Sequence, residues 1–356
     1  MSLSIANQFL TLFLGLFLVI KGADILLSTA ISIGKKLKVS DFFIGLIVIG
    51  FGTSLSELLV SLKAVLENST DLSIGNIIGS NISNVILVLG FALSISNLQF
   101  KNIKKFDIYF HLFIHIVFIT IFFFYTFNII FGIIFILTFL FYLSKSIKNS
   151  SSNEVGNIEL EKDKLSKLSY GNPIKFGVPI IFVSIIITLL GAKLTVSSAL
   201  NISYILNIAD SFLGLSIIAI GTSLPEIATS IRAAKKKKSD IIIGNIVGSN
   251  IYNLLLILGT SSLFENFGYN KNFLISEVFF LVFCILLLTI LLIKNFKFQR
   301  NHSYILIFLY FGYLYNLYNS NFWVLHVFHL IHSQKIGALS ISFGIIIKCP
   351  QINLIT

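Results

Sequence analysis

The chain has 356 residues, 56% hydrophobic and only 12% charged, with a mean hydropathy of +0.93; a soluble domain carries about twice that share of charge, so a soluble fold is excluded. The net charge of +11 lies in the loops between apolar runs, which argues against a nucleic-acid partner. Two cysteines, Cys284 and Cys349, imply no disulfide framework.

The apolar runs approach the ~20 residues that cross a bilayer as a helix. They are too long and too unalternating for barrel strands, so an all-α membrane protein is expected. Ten spans are predicted, at 7–33, 42–66, 72–96, 107–126, 128–147, 174–200, 211–234, 240–263, 273–293 and 303–320. No basic residue precedes Lys21, so the first run lacks the charged start of a signal peptide and is kept as a span. The spans divide into a five-helix repeat over 1–143 and a second over 174–320. A polar linker, 144–173, joins them, and a tail, 321–356, has no apolar run long enough to span.

Loop charges give the orientation. Lys35, Lys36 and Lys38 follow span 1, Lys101, Lys104 and Lys105 follow span 3, and Lys145 and Lys148 follow span 5. Lys235 to Lys238 follow span 7, and Lys294, Lys297 and Arg300 follow span 9; in the alternate loops only Lys271 breaks the pattern. Basic loops stay in the cytoplasm, so the N-terminus is expected outside. The richness in Ile, Phe, Lys and Asn suggests AT-rich coding DNA, and with it a bacterial inner membrane.

One stretch occurs twice. Asp41–Gly90 maps onto Asp210–Gly259 without a gap, at a constant offset of 169 residues, with about half the positions identical. Each copy holds two polar knots inside apolar sequence. The first knots are Gly52-Thr53-Ser54-Leu55-Ser56-Glu57 and Gly221-Thr222-Ser223-Leu224-Pro225-Glu226. The second run from Gly75 to Asn84 and from Gly244 to Asn253. Five spans per repeat invert one copy relative to the other. Inverted repeats with broken helices are the architecture of secondary transporters, with the site at the midplane.

The knots carry the chemistry. Glu57 and Glu226 fall near the middle of spans, where a lone carboxylate costs about 2.5–3.5 kcal/mol on insertion scales. Thr53 lies four residues before Glu57 and shares its helix face, with Ser54 beside it; Thr222 stands likewise to Glu226. Ser80 shares a face with Asn84, and Ser249 with Asn253. This set offers oxygen without sulfur or imidazole, which suits a hard cation such as Ca²⁺ and argues against Zn²⁺ or Cu⁺. Pro225 removes an N–H and leaves the Gly221 carbonyl without its helical partner. Gly50, Gly52, Gly79, Gly221 and Gly248 let the backbone loosen.

These knots resemble those of the Ca²⁺/cation antiporter superfamily, and most closely its prokaryotic sodium/calcium exchanger branch. The resemblance implies a secondary antiporter working by alternating access, not an enzyme, with Ca²⁺ and Na⁺ as cargo and no cofactor or obligate protein partner. It implies that Glu57 and Glu226 bind the two ions alternately, with ligands from Thr53, Ser54, Ser80, Thr222, Ser223 and Ser249. Asn84 and Asn253 would sit at the centre, and the main-chain carbonyls of Gly50 and Ala219 would complete sodium sites. Ser56 stands where the family has proline, so the break there must come from glycines or the Ser56 hydroxyl. Asn253 is an aspartate in some relatives; two acids would leave bound Ca²⁺ about neutralised.

Other readings differ in coupling or class. A proton/calcium antiporter commonly has an acid soon after Gly-Asn in the second knot, where Ile77-Ile78 and Ile246-Val247 stand here. A cation channel could line a pore with the same knots, although single-chain pseudo-symmetry suits alternating access. A hydrolase using Ser54 or Ser223 lacks a His or Lys in either motif to activate the hydroxyl. His111 and His115 are expected to be a satisfied or interfacial pair, and the row His326, His329, His332 is a weak metal signal.

Overall fold

The computed structural model describes residues 2–66, 70–100, 103–149, 173–205, 220–264 and 271–316. Five helices form the first half: α1 (Ser2–Leu37), α2 (Asp41–Leu66), α3 (Thr70–Ile95), α4 (Lys105–Phe124) and α5 (Ile129–Asn149). The second half has α6 (Pro173–Ile205), α7 (Leu224–Lys235), α8 (Ser239–Ser261), α9 (Lys271–Ile293) and α10 (302–316). All but α7 and α10 are long and apolar enough to cross a membrane, eight candidate spans among the described residues. Of the seventh expected span only the part from 220 onward is described, and of the tenth only the part up to 316. The linker from 150 to 172 and the tail, with its His326, His329 and His332, lie outside the described residues. α5 runs on to Asn149, into the segment expected to be linker.

Helices α2, α3, α7 and α8 make the centre. α3 and α8 are buried on almost all sides, with Ile77, Ile78, Ile82 and Ile86 fully inaccessible on one and Ile242, Ile243, Ile246 and Val247 on the other. Such helices belong in the middle of a bundle. α2 crosses α8 at very close range. A Cβ on Gly244 would strike the Phe42 carbonyl, and one on Gly248 would lie 2.6 Å from the Leu46 carbonyl. Backbone-to-backbone contact of this kind is how membrane helices gain dispersion energy where no hydrophobic drive exists.

α1 and α6 pair along their length as a separate layer. A Cβ on Gly191 would come 2.7 Å from the Gly15 carbonyl, so the two backbones meet directly. This pair reaches the centre mainly through α7, where Arg232 is ion-paired with Asp24 of α1.

Ends that carry basic residues gather on one face. The strand-like bridge Leu98–Phe298 ties the segment after α3 to the segment after α9, with N–H···O distances of 2.9 and 3.0 Å. The Ser96 hydroxyl donates to the Ala234 carbonyl at the end of α7. Lys238 pairs with Asp41 at 2.7 Å. The segments after α3, α7 and α9 therefore share a side, as the loop charges require.

Among the described residues three helices contain π-helical turns, at Ile44–Ile49 in α2, Asn84–Val88 in α3 and Tyr252–Ile257 in α8. The last two sit at matching places in the two repeats. The knots break the helices again: Ser54 and Ser223 have ψ near zero (0° and 1°), and a new helical segment starts at Leu55 and at Leu224.

Replacing Gly244 by leucine is expected to destabilise the α2–α8 crossing by about 1–3 kcal/mol or more, read as a lower thermal midpoint in detergent. Gly312→Ala, on an open helix face with nothing within 4 Å of the added carbon, should be neutral or stabilising by about 0.5–1 kcal/mol. Equal midpoints for Gly244→Leu and the native protein would refute the close crossing.

Candidate functional site

The two breaks aim the first knots at each other. Ser54 and Ser223 end one helical segment, and Glu57 and Glu226 then fall in the first turn of the next. A helix N-terminus presents unsatisfied N–H groups and favours negative charge, so both carboxylates are placed where the backbone field supports them. In α7 the break follows from Pro225, which sits in the first turn and cannot donate. In α2 the Ser56 hydroxyl takes that part: its oxygen lies 2.8 Å from the Thr53 carbonyl, 2.8 Å from Glu57 Oε2 and 3.3 Å from the Thr222 carbonyl. One hydroxyl thus touches both knots.

Glu57 and Glu226 are each 1% exposed. They lie close enough to repel one another when both are ionised. Glu57 Oε1 and both carboxylate oxygens of Glu226 have no hydrogen-bond partner. The Thr53 hydroxyl lies beside Glu226, yet it donates back to the Ile49 carbonyl at 3.0 Å. Buried carboxylate oxygens without partners are costly, by several kcal/mol each.

The second knots meet in the same place. Asn84 Nδ2 donates to Asn250 Oδ1 at 3.0 Å, and Asn253 Nδ2 donates to Asn81 Oδ1 at 2.9 Å. These two bonds are related by the repeat offset: each central amide spends its N–H on the other half and leaves its own oxygen unpartnered. The Ser54 and Ser223 hydroxyl oxygens are also without partners. Three mirrored couples of residues therefore carry unpartnered oxygens: Ser54 with Ser223, Glu57 with Glu226, Asn84 with Asn253.

The remaining expected residues are buried around this set. Thr53, Ser80 and Ser249 are nearly inaccessible, Thr222 slightly less so. The Ser249 hydroxyl lies 3.5 Å from the Gly50 carbonyl, which also accepts the Ser54 N–H at 3.1 Å. Ala219 lies outside the described residues. Among the described residues no group of three or more His, Cys, Asp or Glu side chains could hold a metal. Two carboxylates with amide, hydroxyl and main-chain oxygens are chemically a donor set for a hard ion.

Some supporting residues are not legible as site residues in the sequence. Asn76 donates to the Ser61 hydroxyl at 2.9 Å, and its repeat mate Asn245 to the Ser230 hydroxyl at 3.3 Å. Asn245 Oδ1 also lies 3.4 Å from the Thr53 hydroxyl. Their signal was present, a Gly-Asn at the same place in each second knot. The π-helical turns beginning at Asn84 and Tyr252 had no such signal, though π-turns are frequent at functional sites. His111 and His115 are fully buried rather than interfacial, and His115 Nε2 has no hydrogen-bond partner, so the pair is only partly satisfied.

The sodium/calcium exchanger protein family matches residues 7–148 and 176–319. The chain is 35% identical over 295 residues to the sodium/calcium exchanger MaX1 of Methanosarcina acetivorans, covering 73% of this chain and 84% of that protein. It is 34% identical over 253 residues to an uncharacterised membrane protein of Methanocaldococcus jannaschii, covering 70% and 80%. A solved structure of the sodium-calcium exchanger NCX_Mj, soaked with 2.5 mM Na⁺ and 0.1 mM Ca²⁺, superposes with a TM-score of 0.74 at 31% identity, covering 87% of this chain and 98% of the other. With its mirrored knots folded against each other and the family pattern running through both halves, this chain belongs to the sodium/calcium exchanger family.

Proposed function

We propose that the protein is an antiporter that exchanges Ca²⁺ for Na⁺, moving Na⁺ inward and Ca²⁺ outward by alternating access. The observation that supports this most is the mirrored set of unpartnered oxygens between the two halves. Two buried carboxylates facing each other across a pseudo-two-fold axis are stabilised by positive charge, and a divalent ion neutralises them. Glu57 and Glu226 are the shared ligands for which the two ions compete. Asn84 and Asn253 supply amide oxygens, Ser54, Ser223, Thr53, Thr222, Ser80 and Ser249 hydroxyls, and Gly50 and Ala219 main-chain carbonyls for Na⁺. Competition for the glutamates couples the fluxes, because each ion leaves when the other loads. MaX1 is named a sodium/calcium exchanger, and NCX_Mj was soaked with Na⁺ and Ca²⁺. Both support these two ions as the cargo.

The layered packing suits the moving part. α1 and α6 fit each other backbone to backbone and meet the centre chiefly through α7. They slide as one unit past a fixed site, opening it to each side in turn. The basic face is cytoplasmic, which puts the N-terminus outside a bacterial inner membrane.

The decisive experiment is Ca²⁺ uptake into Na⁺-loaded vesicles. Uptake should need the Na⁺ gradient and be indifferent to a pH gradient at zero Na⁺; the reverse would replace Na⁺ by H⁺ in the cycle, and an ohmic current without a counter-ion would mark a channel. Glu57→Gln and Glu226→Gln should each weaken Ca²⁺ binding by about a hundredfold or more, since a unit charge at about 4 Å contributes on the order of 4 kcal/mol per unit of cation charge at intermediate dielectric. Asp24→Asn, which breaks the α1–α7 ion pair, should alter the exchange rate by no more than about fivefold and leave Ca²⁺ affinity unchanged; a changed affinity would place Asp24 in the site.

A further inference from the structure

An amide is a reversible group. Its carbonyl end favours a cation and its NH₂ end opposes one, and the two ends occupy nearly the same space. Asn84 contributes to the site only while its oxygen is the free end. That choice is made by its neighbour: Asn84 Nδ2 donates to Asn250 Oδ1 at 3.0 Å, so Asn250 must present its oxygen. Asn250 is in turn fixed from its other end, where its Nδ2 lies 3.3 Å from His111 Nε2 on α4. Asn250 is fully buried and His111 is 2% exposed, so no solvent competes for these bonds.

Hydrogen bonds in such a chain have a direction. With an unprotonated His111 Nε2 as acceptor, the order runs Asn84 to Asn250 to His111, each amide NH₂ donates along it, and Asn84 Oδ1 is left without a partner. If position 111 offered a donor instead, Asn250 would turn its oxygen to it and its NH₂ to Asn84. Asn84 would then reverse and point its NH₂ at the cation. A buried chain with one bond reversed leaves two donors opposed, which costs more than reversing all of it.

The mirrored half has no such anchor. The position that the repeat offset makes equivalent to His111 is Phe280, and Asn81 Nδ2, the counterpart of the Asn250 NH₂, has no hydrogen-bond partner. His111 is itself held: its ring packs against His115 with centroids 4.4 Å apart, and the His111 carbonyl lies 2.7 Å from His115 Nδ1.

We infer that His111, through Asn250, is the positioning residue that keeps the Asn84 oxygen turned toward the cation, and so sets the affinity of one half of the site for Ca²⁺. This rests on the proposed function, and in particular on Asn84 as a ligand.

The test is equilibrium binding of ⁴⁵Ca²⁺ to the purified full chain. His111→Phe keeps the ring shape and removes the acceptor; it should raise the Ca²⁺ concentration for half-saturation roughly threefold to tenfold, the worth of one such hydrogen bond. His111→Gln offers an amide oxygen again and should return binding to within about twofold of the native protein. In an Asn250→Asp background both side-chain oxygens accept, no reversal is possible, and His111→Phe should have no further effect. His111→Leu serves where the phenylalanine does not fold. Native binding that does not respond to His111→Phe, or an equal loss in both backgrounds, overturns the inference, since a packing role would be felt in each. A native protein that binds no Ca²⁺ sinks the functional reading and this inference with it, whereas native binding indifferent to position 111 sinks only the inference.

Discussion

The structure depends on two carboxylates held inside an apolar protein with too few protein partners. Glu57 and Glu226 are buried, mutually repelling, and short of hydrogen bonds. A fold that stopped there would be badly strained, and the chain has not been relieved by a lysine or arginine inside either knot. What the protein supplies is a surround of oxygen: hydroxyls at Ser54 and Ser223, amides at Asn84 and Asn253. In the function proposed above, the same arrangement that is unfavourable when empty becomes favourable around a cation.

That requirement explains the layout outward from the centre. The acids must face each other, so the repeats must be inverted and their broken helices must meet. The breaks free carbonyls at membrane depth, which is tolerated where they are buried in protein or line a cavity. Close approach of α2 and α8 at Gly244 and Gly248 brings the two knots within reach. The cross-repeat amide bonds then join the halves through the site itself rather than around it. α1 and α6, which contribute none of these groups, pack chiefly on each other as a separate layer.

Much of this was legible in the sequence because membranes make polarity conspicuous. A glutamate, a proline or an Asn-rich knot inside an apolar span has few structural uses, and finding each twice at one offset pointed to a shared place. The breaks at Ser54 and Ser223, the meeting of the acids and the burial of every described site residue follow from that. The π-turns at Asn84 and Tyr252 did not show, because an added residue in a helical turn is chosen by packing against neighbours and leaves no periodicity of its own. The Asn250–His111 contact joins residues 139 apart and was invisible for the same reason: α4 lies outside the repeat that guided the reading. The span ends were set too short for α1, α5 and α6, whose helices run on into their polar flanks.

The first knots of the two repeats differ at one position, serine at 56 and proline at 225. Proline makes the interruption in α7 permanent, since no conformation restores the missing N–H. Serine makes the interruption in α2 conditional on where one hydroxyl proton goes. The molecule thus has one fixed break and one adjustable break, at mirrored places in its two halves. In the cycle proposed above, the outward-open and inward-open forms are then free to differ in energy, and the hydroxyl that sets the difference is the one that lies 2.8 Å from Glu57 Oε2.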